Sequence, residues 1–297
     1  MSIKSPIKRS SHGQKSLLTP RSKTANTLMI VGIGYFMMPL IWVILASTKS
    51  KPDLFSTFSL WFGHSFKLFA NLHSLFTQDG GLYLIWIKNT AIYSITSALG
   101  ATLISAMAGY SLARFKFKGV VFLESMVLGL IMVPATALVM PLYLMLSKVN
   151  VVNTPWAVIL PSLLNPFAAF LIRVYVLESI PEELIQAARI DRAGEFRIFW
   201  QIVLPMLRPA LVTVFLFSLV ASWNNFFLPL VMLSDNHLYP VTVGLQAWFA
   251  QASQESGNSV LYNLVITGAL VAVLPLVISF LFLQRYWRGG INAGAVK

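Results

Sequence analysis

Six long apolar runs divide the chain, and the polar segments between them are alternately poor and rich in cations. The runs cover about residues 27–47, 86–113, 120–147, 155–177, 209–233 and 259–283. At ~1.5 Å per residue each can cross a hydrocarbon core of ~30 Å as an α-helix. The pattern therefore predicts an all-α polytopic membrane protein with six transmembrane helices. The first run exceeds a signal-peptide core of about 7 to 15 residues, so it is expected to stay as an uncleaved helix. Pro134 and Pro141 in the third run, and Pro161 and Pro166 in the fourth, are compatible with spans whose neighbours satisfy the freed carbonyls.

Charge orients this frame. The first 26 residues carry Lys4, Lys8, Arg9, Lys15, Arg21 and Lys23 without an acid, and read as a basic, flexible tail. Together with residues 114–118, residues 173–208 and the C-terminal segment 285–297 (Arg285, Arg288, Lys297), that tail holds 17 of the 22 Lys and Arg. Cations gather on the cytoplasmic side, so both termini and the segment 179–208 are predicted to be cytoplasmic. Residues 48–85, 148–154 and 234–258 then become external, the last with no Lys or Arg at all.

Composition agrees: 57% hydrophobic and 11% charged residues, with a mean hydropathy of +0.72, lie far from the soluble range of about 25% charged. The net charge of +12 is explained by topology and gives no reason to expect nucleic acid. Without cysteine, and with His12, His64, His73 and His237 scattered, no disulfide or metal site is expected. No nucleotide-binding loop is present, so any ATP used must be bound by another chain. Glu124, the only acid within a span, sits at its edge, which speaks against an ion-coupled secondary transporter. Nor do nucleophile, base or metal ligands converge at one depth, as a membrane enzyme would need.

The segment 179–208 is the one long polar stretch between apolar ones. Glu178, Glu182, Glu183, Asp191 and Glu195 are half of the chain's ten acids. Ser179-Ile180-Pro181-Glu182 has the form of a capping box, predicting a helix of about 14 residues from there to a stop at Gly194. No opposite charges in it fall at i,i+4, and only Arg192 with Glu195 falls at i,i+3. Ala187 and Ala188 are small enough to admit a partner surface. A second amphipathic piece, residues 195–203, should return Phe196, Phe199 and Trp200 to the membrane before Leu204-Pro205 breaks it. From the residues alone the helix has two readings, docking against a partner chain or resting on the membrane surface. Within the spans, Asn165 beside Pro166, and Trp223 with Asn224 and Asn225, are polar groups placed either to line a translocation path or to bond helices together.

Gln186-Ala187-Ala188, followed by Asp191 and Ile202-x-Leu204-Pro205, resembles the EAA loop of permease subunits in bacterial ABC importers, whose pattern is Glu-Ala-Ala, three residues, Gly, nine residues, Ile-x-Leu-Pro. Asn89-Thr90, the run of residues 108–115, Pro134, Pro141-Leu142-Tyr143 and Ser222-Trp223-Asn224 are similar to the carbohydrate-uptake class, in particular the smaller permease of maltose-type importers. Two positions depart: Gln186 replaces Glu, keeping a hydrogen bond without its charge, and Arg192 replaces Gly, so the sharp turn is expected to move to Gly194. Glu182 or Glu183 is the expected source of the missing charge.

The resemblance implies a cytoplasmic coupling helix, with Glu182, Glu183, Gln186, Ala187, Ala188, Arg189, Asp191, Arg192 and Gly194 contacting an ATP-binding subunit. It further implies a second permease as heterodimer partner, two ATP-binding subunits carrying ATP and Mg, and no cofactor on this chain. A periplasmic substrate-binding protein would meet Gln246, Trp248, Phe249 and Gln251. The implied activity is import of an oligosaccharide through the bacterial inner membrane by alternating access. The alternative is an ion-coupled secondary transporter of a small polar solute. The sugar itself is not specified.

Overall fold

The computed structural model describes residues 23–254 and 259–293, with side chains described at 23–254 and 261–284. Most of the N-terminal tail, residues 294–297 and the side chains of Arg285 and Arg288 lie outside these. The chain divides into two compact units, Met1–Trp42 and Val43–Lys297. The first contains most of α1 (Lys23–Ser47), an apolar helix of 25 residues. Everything that follows concerns the second unit, which is helical with no strand among the described residues.

The expected loop 48–85 contains two helices, α2 (Lys51–Ser56) and α3 (Leu68–Thr77). Ser50 caps α2 by accepting from the Asp53 amide, with Pro52 in the first turn where no N–H is needed. Asp53 accepts from Ser50 and bonds His64 Nδ1 at 2.7 Å, and these bonds hold its carboxyl below the usual range, the His64 bond most strongly. The buried Lys49 ammonium donates to Thr57 and to the Phe58 carbonyl. Asn71 and Asn263 both donate to the Lys49 carbonyl, which ties this segment to the last helix. Gly80 and Gly81 take positive φ of 69° and 85°, making the turn that their sequence signals.

Next comes α4 (Leu82–Arg114), 33 residues without a proline. Small side chains, among them Ala98, Ala101, Ser105 and Ala106, are buried along it and let neighbouring helices close in. At Gly109 the helix meets backbone: a β-carbon there would lie 2.7 Å from the Ala169 carbonyl oxygen and 2.8 Å from the Arg173 amide nitrogen.

The third apolar run is broken: α5 (Val120–Met132) and α6 (Val139–Lys148) meet at 99°. Val133, forced into the extended region before Pro134, ends α5. The fourth run holds α7 (Trp156–Ser162) and α8 (Pro166–Ser179), together long enough for one span. Between them Asn165 is extended and caps α8 by accepting from the Ala168 amide.

The polar segment forms α9 (Glu182–Ile190), α10 (Glu195–Ile198) and α11 (Leu204–Met206), with a π-helical turn at Phe199–Val203. Pro205 has no N–H for a carbonyl one turn back, and the ladder shifts instead to a bond from the Leu204 amide to the Phe199 carbonyl. The chain thus bends after Met206 by 80°, not at Leu204-Pro205.

The fifth run is shorter than its pattern suggests. Helix α12 (Arg208–Trp223) has 16 residues, or ~24 Å, and stops at Asn224. After residues 224–226 a short α13 (Phe227–Met232) follows. The predicted loop 234–258 is largely α14 (Val241–Gln254), packed on α4 and the final helix. That helix, α15 (Ser259–Ala293), continues past the predicted end of the sixth span. Four described helices are long and apolar enough to cross a membrane, or six if each bent pair is one span.

Candidate functional site

Beyond α8, the polar segment packs back onto the membrane helices. Ile185, Ala188, Ile198, Phe199 and Val203 form one buried cluster with Tyr110 of α4, Ile172 and Val176 of α8 and Val214 of α12. This is why α9 is held at all: nine residues are too few for a helix stable on its own in water. It is shorter than the expected 14 residues because Ser179 still belongs to α8, and Pro181 caps α9 without a side-chain bond. The capping-box pattern is not used.

At 100° per residue, Ile185 and Ala188 turn inward, and Glu183, Gln186, Ala187 and Ile190 share the opposite, outward face. The two alanines therefore differ: Ala188 completes the chain's own core, and Ala187 alone offers a small surface outward. Ile190, an apolar group that the sequence reading did not single out, is 81% exposed, and Phe196, expected to turn back to the membrane, is 75% exposed. The helical spacing of Ala187 and Ile190 opposite the buried pair is the signal that marks the first of them.

The turn after α9 lies at Arg192, with φ of 60°, and not at Gly194, whose φ is −69°. The Arg192 amide donates to the Arg189 carbonyl and the Ala193 amide to the Ala188 carbonyl, both at 3.0 Å. That bond pair is a Schellman closure with a residue other than glycine in the left-handed position. The turn brings Glu195 back to Arg189, Nε to Oε1 at 2.6 Å, and this hydrogen bond raises the Arg189 pKa further. Glu195 pairs across six positions, not with Arg192. Gln186 donates to Glu182 at 3.2 Å, so of the two acids considered it is Glu182 that stands beside the glutamine. Left-handed backbone costs a non-glycine residue roughly 1–2 kcal/mol. Arg192→Gly is accordingly expected to stabilise the solubilised protein by about 1 kcal/mol, read as a rise in the thermal midpoint; an unchanged or lower midpoint contradicts the strain.

Three helix breaks converge on a cleft of about 570 Å³: the α5–α6 bend, the α7–α8 junction and the end of α12. Its wall is largely apolar, with Leu130, Val133 and Phe227, while Ser162, Asn165, Ser218, Ser222 and Asn225 bring polar atoms to it. Asn165 donates to Ser218 at 3.3 Å, and the Ser222 hydroxyl is buried without a hydrogen-bond partner. The other two path candidates point elsewhere. Trp223 is buried and donates to the Ala272 carbonyl, while Asn224 is exposed and donates to Val220 within its own helix.

Glu124, at the edge of the third apolar run, and Arg173, in the fourth, form an ion pair at 2.7 Å joining α5 to α8, each side chain about one quarter exposed. Gln246, Phe249 and Gln251 are exposed on α14. Trp248 is not: its indole is buried 4.6 Å from the Trp86 ring and donates to Asp79, so the predicted surface contact at this residue is an internal anchor.

Residues 100–290 match the family described as the binding-protein-dependent transport system inner membrane component. The chain belongs to this family. Among similar proteins, the arabinooligosaccharides transport system permease protein AraQ of Halalkalibacterium halodurans is 36% identical over 91% of this chain and 96% of its own length. The melibiose/raffinose/stachyose import permease protein MelC and the maltodextrin transport system permease protein MdxG, both of Bacillus subtilis, are 32% and 31% identical, covering 90% and 91% of this chain and 94% and 93% of theirs. In fold, the chain is similar to one from a bacterial ABC transporter involved in the import of the acidic polysaccharide alginate, with a TM-score of 0.75, 21% identity, and coverage of 91% of this chain and 100% of that one. As an inner membrane component of this family, the protein is multi-pass, and its similar relatives are sugar permeases.

Proposed function

We propose that this chain is the non-enzymatic permease subunit of an ATP-driven importer that moves an oligosaccharide from periplasm to cytoplasm by alternating access. The observation that carries the reading is α9: a helix held by the fold, turning Gln186, Ala187 and Ile190 away from its own core. In this reading both termini and α9 are cytoplasmic, and residues 27–284 form one permease domain between two tails. The α9 segment sits in a cleft of one of two ATP-binding subunits, which carry the ATP and Mg. A second permease completes the pathway. Asn165, Ser222 and Asn225 line this chain's part of it, where hydroxyl and amide groups suit a sugar's hydroxyls and apolar walls suit its C–H faces. A periplasmic substrate-binding protein docks near Gln246, Phe249 and Gln251.

Arabino-oligosaccharides are the first substrates to test, followed by raffinose-type and maltodextrin sugars, because these classes appear in the names of the similar permeases. The assembled transporter should take up radiolabelled arabino-oligosaccharide, and one unlabelled member of this panel should compete best. If no oligosaccharide in it competes, the substrate class is wrong.

A further inference from the structure

Both ends of helix α4 carry groups that do not line the cleft described above, and what they grip are the two faces assigned above to partner proteins. At its Leu82 end, side chains of α4 bind the backbone of residues 236–241, which leads into α14. Trp86 Nε1 donates to the Asn236 carbonyl at 2.8 Å, and Asn89 donates to those of His237 and Tyr239 at 2.7 and 3.1 Å. The Tyr93 hydroxyl donates to the Leu238 carbonyl at 2.9 Å, and Thr90 accepts from the Val241 amide at 2.7 Å. Four successive carbonyls and the first amide of α14 are thus fixed by one helix. Trp86 also fills the space beside Gly244, where a β-carbon would come within 2.2 Å of its ring.

At the other end Arg114 Nη2 donates to the carbonyls of Val176 and Ile180, the last turn of α8 just before α9. One turn earlier, the Tyr110 hydroxyl donates to Glu195 Oε2 at 3.4 Å, and the other oxygen of that carboxylate holds Arg189 of α9. Entry to and exit from α9 are therefore both tied to α4. Between these grips, from Tyr93 to Tyr110, run about 25 Å of helix with no proline and no internal break, packed along α8 and α12. By contrast, the third and fifth apolar runs are broken midway. Among the described residues of this unit, α4 has side chains that hold backbone at both of its ends.

We infer that α4 is the rod through which the α14 face and α9 sense each other, so that binding-protein docking changes ATP hydrolysis by way of this helix. The inference rests on the proposed function, which supplies the two partners. A rigid element tied at both ends shifts both sites together, and such coupling is reciprocal. Asn89, Tyr93, Tyr110 and Arg114 act here as positioning residues, since none faces a partner or the cleft.

The test uses the whole transporter in lipid nanodiscs, assembled from this chain and its second permease, ATP-binding and binding-protein partners. ATP hydrolysis is measured without and with saturating binding protein and sugar. Asn89→Ala loosens the outer grip. Tyr110→Phe, which removes one hydroxyl, and Arg114→Gln loosen the inner one. Each should leave basal hydrolysis and assembly unchanged and cut the stimulation about fivefold or more. A purely structural role would instead lower basal and stimulated rates in proportion. If the wild-type assembly is stimulated and all three variants, assembled and active, are stimulated equally, the rod is wrong and the importer reading stands. If the wild-type chain forms no ATP-hydrolysing assembly, both fall. Should Asn89→Ala not assemble, Tyr93→Phe, which deletes a single bond of the same grip, decides in its place.

Discussion

Ala187→Asp is expected to lower ATP-driven sugar uptake by about 100-fold while the chain still inserts and folds. Ala187 is exposed, so its replacement touches none of the core that Ala188 and Ile185 complete, and a surface change of this kind costs a fold less than about 0.5 kcal/mol. In the proposed complex the same position is covered by an ATP-binding subunit. A carboxylate without a partner is then buried, at several kcal/mol, and about 2.7 kcal/mol suffices for the factor stated. Deleting residues 181–193 should abolish uptake altogether. Ile190→Ala, which trims an 81% exposed side chain to a small one, should cost less than the new charge does. Wild-type uptake by Ala187→Asp would contradict a coupling role for α9.

Gly109→Val should deplete the folded protein itself. A β-carbon there overlaps backbone atoms of Ala169 and Arg173, which cannot swing aside as a side chain can. Helices α4 and α8 would have to separate along their length, loosening the buried cluster of Tyr110, Ile172 and Val176 that carries α9. Overpacking costs about 1–3 kcal/mol at sites that can relax, and more is expected between two backbones. Size-exclusion chromatography of the solubilised protein should show loss of the monodisperse peak. A thermal midpoint within about 2 °C of the parent would contradict the close approach.

How much of this was legible in the sequence depended on whether a feature is set by composition or by tertiary bonds. Helix α4 and most of α15 follow from apolar length, and the Gly80-Gly81 turn from its residues. The end of α12 at Asn224 does not, because hydropathy records how apolar a run is and not where its backbone stops. That break is held from outside, where the Thr242 hydroxyl donates to the Asn225 carbonyl at 2.8 Å. Pro134 did announce trouble in the third run, but tolerance in a membrane and a 99° bend are both open to a proline. Arg192 could not be placed from propensity, which favours Gly194. The closure wins because it satisfies two carbonyls and returns Glu195 to Arg189. Trp248 looked like a surface aromatic in a cation-free loop, and only its packing on Trp86 makes it core.

For the candidate site, the outward and inward faces of α9 were within reach of helical periodicity, whereas the partners of its charges were not. Glu182 with Gln186 is an i,i+4 pair, but Arg189 with Glu195 exists only because the chain reverses at Arg192. Asn165 and Asn225 reach the cleft while Trp223 and Asn224 do not, a division set by where three helices break. The pairing of Glu124 with Arg173 bears on mechanism as well. The one acid in the predicted spans stands paired with a cation of the neighbouring helix and does not lie alone at mid-membrane.

The central claim is that sugar movement through this chain is driven by ATP on partner subunits. It is tested most directly by uptake into proteoliposomes holding the assembled transporter, with binding protein and sugar outside and ATP inside, while ionophores collapse all proton and sodium gradients. The account predicts that uptake continues under ATP, stops without it, and is lost in Ala187→Asp. Uptake by this chain alone, driven by an ion gradient in the absence of ATP, would contradict it.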